Sequence, residues 1–465
     1  MPGSGGRPPW FNSLPSSDSQ SKSLAACGVS NSECPHGNGS TALLASQGIV
    51  PVPDGEAEKP STTSSSEIAS LRAPRCLEGE DGGSILWKLI KNYTPSWYSI
   101  TMATGMVGLM LHAYPYTNDS IPIIYAILFI INIITFLAIT ILTILRYALF
   151  PKTWSTMLRH PTQSLFLGCC PMGLTTLINL FIFVCIEDAG WNSSWAPYFA
   201  WALWWVDVVM AVACSCGLPF LMMYVHPSTN LSAMTAVWLL PAATPIVTAS
   251  NGATVASILP NQSHAMITLL ASYVLWGIGF PMALLTLVIY FHRLAMHKLP
   301  PREMIITVFM PLGPIGQAAY TIMNLGKESL VLFPKTGALH ELAGDVLYIM
   351  GFFFAIVLWG FGLVWGFFAV ASVTRSRFPF NMGWWGFTFP TGVYVLATLQ
   401  LGAELPSAFF NILGMIMGIV TILIWFLTVV VTIRKTLLGQ VSFAACLQQS
   451  ETFRRWRKGH NNDSV

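Results

Sequence analysis

Two acidic residues interrupt long apolar runs. Asp207 falls near the middle of the run 196–224, and Asp345 near the outer end of the run 341–372. A carboxylate inside a bilayer is costly, so it turns toward the protein interior or a watery path. The chemistry open to it there is proton transfer. An acid held away from water can carry a proton alongside an anion. Asp207 and Asp345 are therefore candidate proton-coupling residues. The alternative is a hydrogen-bonded structural group or, for Asp345, an interfacial one. Both acids lie on even-numbered runs, which argues against direct pore lining.

The polar residues Gln317, Asn324 and Gln400 lie on odd-numbered runs. Amide N–H groups there donate either to a passing oxyanion or to a neighbouring helix. Cys169, Cys170, Cys185, Cys214 and Cys216 sit in apolar runs with no histidine near them in helical register, so they read as small packing residues. His112, His226, His264, His292, His297 and His340 are scattered near the ends of runs. No metal site and no cofactor is implied. No His/Cys/Asp constellation supports an enzyme.

The elements that position these residues are membrane helices. Of the 465 residues 54% are hydrophobic and only 9% charged, against roughly a quarter charged in soluble domains. A net charge of +3, with the basic residues at the ends of apolar runs, gives no nucleic-acid signature. The chain predicts an all-α membrane protein with spans at about 96–114, 121–144, 162–186, 196–224, 232–258, 264–290, 303–326, 341–372, 382–401 and 407–433. Most reach the roughly 20 residues that cross a hydrocarbon core. About ten spans fit poorly with a seven-helix receptor. No lysine or arginine falls deep within any span.

The odd-numbered spans share a broken pattern. The third carries Pro171 and Gly173, the fifth Pro241 and Pro245, and the seventh Pro311, Gly313, Pro314, Gly316 and Gln317. The ninth carries Pro390 and Gly392, and the first Gly105 and Gly108. A proline inside a helix frees a carbonyl one turn earlier. Freed backbone groups are tolerated at membrane depth where they are buried in protein or line a cavity. The recurrence predicts helical hairpins whose odd helices line a central path, with the even helices as an outer wall. Ordinary kinking is the alternative. Broken helices present N–H groups and positive dipole ends, which suit an anion, and weak multi-site binding lets it leave again.

Basic residues set the orientation. Lys88, Lys91, Arg146, Lys152, Arg159, Arg293, Lys298, Arg302, Arg375, Arg377, Arg434 and Lys435 fall on one side, against Lys327 and Lys335 on the other. Both termini are expected in the cytoplasm. The sequons at Asn118, Asn192 and Asn261 then face outward as candidate glycosylation sites. Residues 1–85, rich in Ser, Gly and Pro, read as a disordered cytoplasmic tail. Residues 86–440 form the transport domain and 441–465 a cytoplasmic C-terminal tail.

The segment Pro95-Ser-Trp-Tyr-Ser-Ile-Thr-Met-Ala-Thr-Gly105-Met-Val-Gly108, followed by Tyr114-Pro-Tyr116, resembles the opening of fungal tellurite-resistance/dicarboxylate transporters. Met310-Pro-Leu-Gly-Pro-Ile-Gly-Gln317 through Gly326 is similar to the fungal sulfite efflux pumps of that family. Trp384-Trp385-Gly-Phe387-Thr-Phe389-Pro390 is similar to the ninth helix of the wider family, which includes plant slow anion channels and bacterial tellurite-resistance proteins. The resemblance covers roughly residues 90–440. It implies ten helices as five hairpins in a quasi-fivefold array, odd helices inside, and a homotrimer in which each subunit has its own pore. It implies a pore-occluding phenylalanine on the ninth helix: Phe389 matches best and Phe387 is the runner-up. It also implies export of sulfite, a small anion, at the plasma membrane. Transport of a C4-dicarboxylate such as malate is the alternative, because malate transporters share the first-helix pattern.

Overall fold

Polar and small residues in the odd runs, and large aliphatic ones in the even runs, produce two populations of helix. The computed structural model describes residues 90, 93–116, 118–191, 195–226, 230–375, 380 and 382–437. The tails expected at 1–85 and 441–465 lie outside the described residues, as does the sequon asparagine Asn192. Among the described residues every regular element is a helix. The long ones are α1 (Tyr98–His112), α2 (Ser120–Leu149), α3 (Cys169–Phe181), α4 (Trp195–Tyr224), α5 (Leu240–Ile258), α6 (Gln262–His297), α7 (Leu312–Thr336), α8 (Ala343–Thr374), α9 (Trp385–Glu404) and α10 (Ala408–Leu437). A short helix, Pro151–Leu158, follows α2.

Among the described residues seven helices are long and apolar enough to cross a membrane: α2, α4, α6, α8 and α10, with α3 and α7 counted together with the turns that flank them. The predicted first, fifth and ninth spans correspond to α1, α5 and α9, which have 15, 19 and 20 residues. These are short, and α5 is built largely of Ala, Thr, Ser and Gly. Small residues let helix backbones approach closely and mark a helix surrounded by protein. The even helices run 30 to 36 residues. Their most apolar stretches are only 22–28% buried, against 94% for the stretch containing α7. Ile123, Ile127, Ile130 and Ile134 of α2, and Phe353 and Val357 of α8, are exposed. That is a surface made for lipid.

The packing order follows. α1 packs on α3, α3 on α5, α5 on α7, α7 on α9, and α9 returns to α1. The even helices sit outside the joints: α2 touches α1 and α3, α4 touches α3 and α5, and α6 touches α5 and α7. α8 touches α7 and α9, and α10 touches α9 and α1.

The prolines do something different from the kink expected of them. Each odd helix is entered through a 3-10 segment: Pro95–Trp97, Ser164–Gly168, Ala236–Leu239, Arg302–Phe309 and Met382–Trp384. Pro171, Pro241 and Pro314 stand in the first turn of α3, α5 and α7, and Pro311 immediately precedes α7. First-turn N–H groups have no intrahelical acceptor, so proline costs nothing there. These prolines start α-helices. Only Pro245 and Pro390, of the expected set, interrupt one. The carbonyl that Pro245 orphans is that of Pro241, and the Thr244 hydroxyl donates to it at 2.9 Å.

α7 runs ten residues beyond its predicted end. Lys327 and Lys335, expected in a loop, lie on this extension. Gly337, at φ 64°, closes the helix in the left-handed conformation that favours glycine. Charges in the last turns do not stop a helix; the cap does. The longer α2 and α6 likewise take in Arg146 and Arg293, which are 1% and 4% exposed near their C-terminal ends. Burial of basic side chains at those ends was not anticipated.

Candidate functional site

A cavity of about 20 Å³ lies where the odd helices meet. Its wall takes Met106 and Leu109 from α1, Thr175, Thr176 and Asn179 from α3, Val247 and Ser250 from α5, Gln317 and Tyr320 from α7, and Phe389 and Leu396 from α9. All five odd helices contribute and no even helix does. The volume suffices for about one water. A four-heavy-atom oxyanion does not fit unless a wall residue moves.

Among the described residues no charged side chain lines this cavity. Several of its hydroxyl protons are already committed. Thr175 Oγ1 donates to Asp207 Oδ2 at 2.6 Å. Thr176 Oγ1 donates to the Gly173 carbonyl at 2.8 Å and accepts from Asn132 Nδ2 at 3.4 Å. Gln317 Nε2 donates to Thr321 Oγ1 at 3.3 Å, and Thr321 in turn donates to the Ile246 carbonyl at 3.2 Å. Asn179 Oδ1 is buried and has no partner. Among the described residues, the Asn179 amide nitrogen and the Ser250 hydroxyl are polar groups of the wall that make no side-chain hydrogen bond. Neutral donors around a cavity without a charged wall residue attract an anion weakly, as conduction requires.

The expected pore residues fall in different settings. Gln317 and Phe389 border the cavity. The glycines sit in the joints between odd helices. A Cβ on Gly105 would collide with Thr176, and one on Gly392 with Met106. A Cβ on Gly108 would lie 2.9 Å from Leu180, on Gly173 2.6 Å from Thr101, and on Gly316 2.8 Å from Tyr394 Cα. Gly313 faces Pro390 at an ordinary 3.5 Å. Pro171, Pro241, Pro245, Pro311, Pro314 and Pro390 are all buried in protein, but none is a cavity wall residue. Phe387 packs edge-on against Phe309 instead.

Asp207 is completely buried, with Thr175 and Thr248 both donating to Oδ2. Asp345 is exposed in the first turn of α8. Gln400 donates to Glu404 along its own helix at 2.8 Å, neither to a neighbouring helix nor into the cavity. Asn324 stands near the Tyr320 hydroxyl. Asn118 is exposed. Asn261 is exposed as well, and its Oδ1 caps α6 by accepting from Ser263 N at 2.9 Å. Thr175, Thr176, Asn179, Ser250 and Tyr320 were missed in the sequence. The spacing of Thr175 and Asn179, four residues apart on one helical face, is a signal that could have found those two.

Residues 92–433 match the profile of the voltage-dependent anion channel family. The chain belongs to that family. A voltage-dependent anion channel homologue with these helices is a multi-pass membrane protein. Among its relatives is a sulfite efflux pump of Arthroderma benhamiae, 45% identical over 350 residues that cover 75% of this chain and 92% of the relative. The sulfite efflux pump of Candida albicans is 27% identical, covering 73% of each chain. The malic acid transport protein of Schizosaccharomyces pombe is 24% identical, covering 76% of this chain and 81% of its own. Among the described residues, no group of three or more His, Cys, Asp or Glu could hold a metal ion.

Proposed function

We propose that this chain is a plasma-membrane sulfite exporter. Its ten helices stand as five hairpins in a quasi-fivefold array, and the odd helices line an axial pore that Phe389 occludes. The observation that carries the reading is a cavity walled by one segment from each odd helix, uncharged, edged by hydroxyls and amides, and bordered by Phe389. An anion entering it exchanges its hydration shell for the Asn179 amide, the Ser250 hydroxyl and other polar groups of the wall. Rotation of the Phe389 ring supplies the missing volume. With no lysine or arginine in the wall, the anion is not trapped.

Identity of 45% with a named sulfite efflux pump, against 24% with a malic acid transport protein, supports sulfite over malate. Malate remains the second reading. The same reading has both termini cytoplasmic, a homotrimer with one pore per subunit, and Asn118, Asn192 and Asn261 facing outward as glycan acceptors. Liposomes holding the purified protein test it through uptake of sulfite against malate, nitrate and chloride. Sulfite flux above the protein-free background supports the assignment. Malate flux without sulfite flux transfers the protein to the dicarboxylate branch.

A further inference from the structure

Asp207 lies on α4, outside the cavity wall, yet a single side chain joins it to the cavity. Thr175 of α3 lines the cavity and donates its hydroxyl proton to Asp207 Oδ2 at 2.6 Å. Thr248 of α5 donates to the same oxygen at 2.8 Å. Among the described residues Asp207 Oδ1 finds no hydrogen-bond partner, although the residue has no exposed surface. The titratable groups near it are the thiols of Cys170 on α3 and Cys214, two turns along α4. Among the described residues, the Thr175 and Thr248 hydroxyls are the side chains that hydrogen-bond the carboxyl, and no charged side chain pairs with it. A negative charge here would have two hydroxyl donors and no counter-ion.

We propose that Asp207 and Thr175 form a proton-operated switch on the anion site, so that the cavity accepts an oxyanion when the Asp207 carboxyl is protonated. The proposal rests on reading the cavity as part of the anion path. A hydroxyl has one proton to give and lone pairs to receive with. While Asp207 is a carboxylate, the Thr175 proton points at Oδ2 and the cavity sees only the hydroxyl's lone pairs, which repel an anion. When a proton from water binds Oδ2, that O–H donates to Thr175 Oγ1. The Thr175 proton is released to turn into the cavity, where it becomes a donor to the anion. Protonation also removes a negative charge standing one side chain from the path, in surroundings where screening is weak. Both effects have the same sign. One proton is taken up as the anion binds and returned when it leaves, and no bond other than the O–H changes.

The test uses full-length protein in liposomes, with sulfite flux measured at equal pH on both sides from about pH 5 to pH 8. Asp207→Asn places an N–H where the acid's proton would be and holds it there at every pH. Sulfite itself changes charge in this range. The readout is therefore the ratio of wild-type to Asp207→Asn flux at each pH, in which the ionisation of the substrate cancels. The ratio is expected near one at the acid end, falling by about tenfold per pH unit once the carboxyl ionises. Thr175→Val is expected to lower flux and lose this pH-linked component, and Thr175→Ser to restore both. The threonine pair keeps the test open if Asp207→Asn does not fold. A ratio constant across the range overturns the switch, as does an unaltered pH profile in Thr175→Val. Failure of the wild type to move sulfite or malate at any pH would instead strike the anion-path reading itself.

Discussion

Phe387 and Phe309 meet edge to face, with ring centroids 4.6 Å apart and planes at 72°. This contact separates two phenylalanines that stand two residues apart on α9. On a helix such residues point about 200° apart, so both cannot face one axis. Phe387 is clamped in packing, while Phe389 borders the cavity. Phe389→Ala is expected to raise passive anion leak from liposomes severalfold; at 3% exposed against 6% for Phe387, it is expected to lose as much stability as Phe387→Ala, so leak and not Tm tells the two apart. Phe387→Ala is expected to cost about 3–5 kcal/mol, as large aromatic truncations in cores do, and to leave the leak of the folded fraction unchanged. The two variants are compared by flux and by thermal unfolding in detergent. Equal leak from both would remove Phe389 from the gate.

Gly316 lies against the backbone of Tyr394, and a Cβ there would come within 2.8 Å of Tyr394 Cα and 2.9 Å of its nitrogen. Backbone atoms in a packed helix cannot swing aside as a side-chain end can. Gly316→Ala must therefore push α7 and α9 apart, at a cost of about 1–3 kcal/mol. Gly313→Ala is the internal control, because its Cβ would first meet Pro390 at 3.5 Å, an ordinary contact. A lower Tm for Gly316→Ala and a near-native one for Gly313→Ala is the expected result. Equal Tm values would show that the joint between α7 and α9 has slack.

The alternation of helices was legible because lipid and protein demand different residues. Ile123, Ile127 and Ile134 on α2 advertise a lipid face, and the Thr, Ser and Gly of α5 advertise a protein one. The prolines were legible as a recurring mark but not in their role. Pro171 and Pro314 look the same in a sequence whether they kink a helix or open one, and the difference lies in the 3-10 segments before them. The cavity wall was the least legible part. Gln317 and Phe389 stood out by type or by resemblance, whereas Thr175 and Ser250 are residues that any membrane helix uses in packing. Asp207 stood out as a charge, but Thr175 as its link to the cavity depends on where α3 and α4 meet.

Asn179 offers the cavity an amide nitrogen while its Oδ1 lacks a partner. Removing an amide whose acceptor is already unsatisfied sacrifices no native hydrogen bond at that atom. Asn179→Ala is therefore expected to fold with near-native Tm. Its anion flux at low substrate should fall by about tenfold, the worth of one hydrogen bond to a charged group. Titration of flux against sulfite concentration separates this from a general loss of activity, because the loss should appear as a raised half-saturating concentration. An unchanged half-saturation would place the anion elsewhere along the path.

Arg146 continues a stripe on α2 that buries Tyr125, Asn132 and Ile139 at seven-residue intervals. It is 1% exposed, and its Nε, Nη1 and Nη2 have no acceptor. The ring of Tyr147, 5.6 Å from Cζ, is a cation–π contact, worth about 0.5–2 kcal/mol. Burial of a charge without hydrogen bonds costs more than that. Replacement by an apolar chain of similar reach should therefore be neutral or stabilising. Arg146→Met is expected to hold or raise Tm, whereas Arg146→Ala should lower it by leaving a void. Thermal unfolding of the two variants in detergent decides the matter. A Tm for Arg146→Met as low as that for Arg146→Ala would mean that the guanidinium is held by an acceptor outside the described residues, and that its charge contributes to the fold.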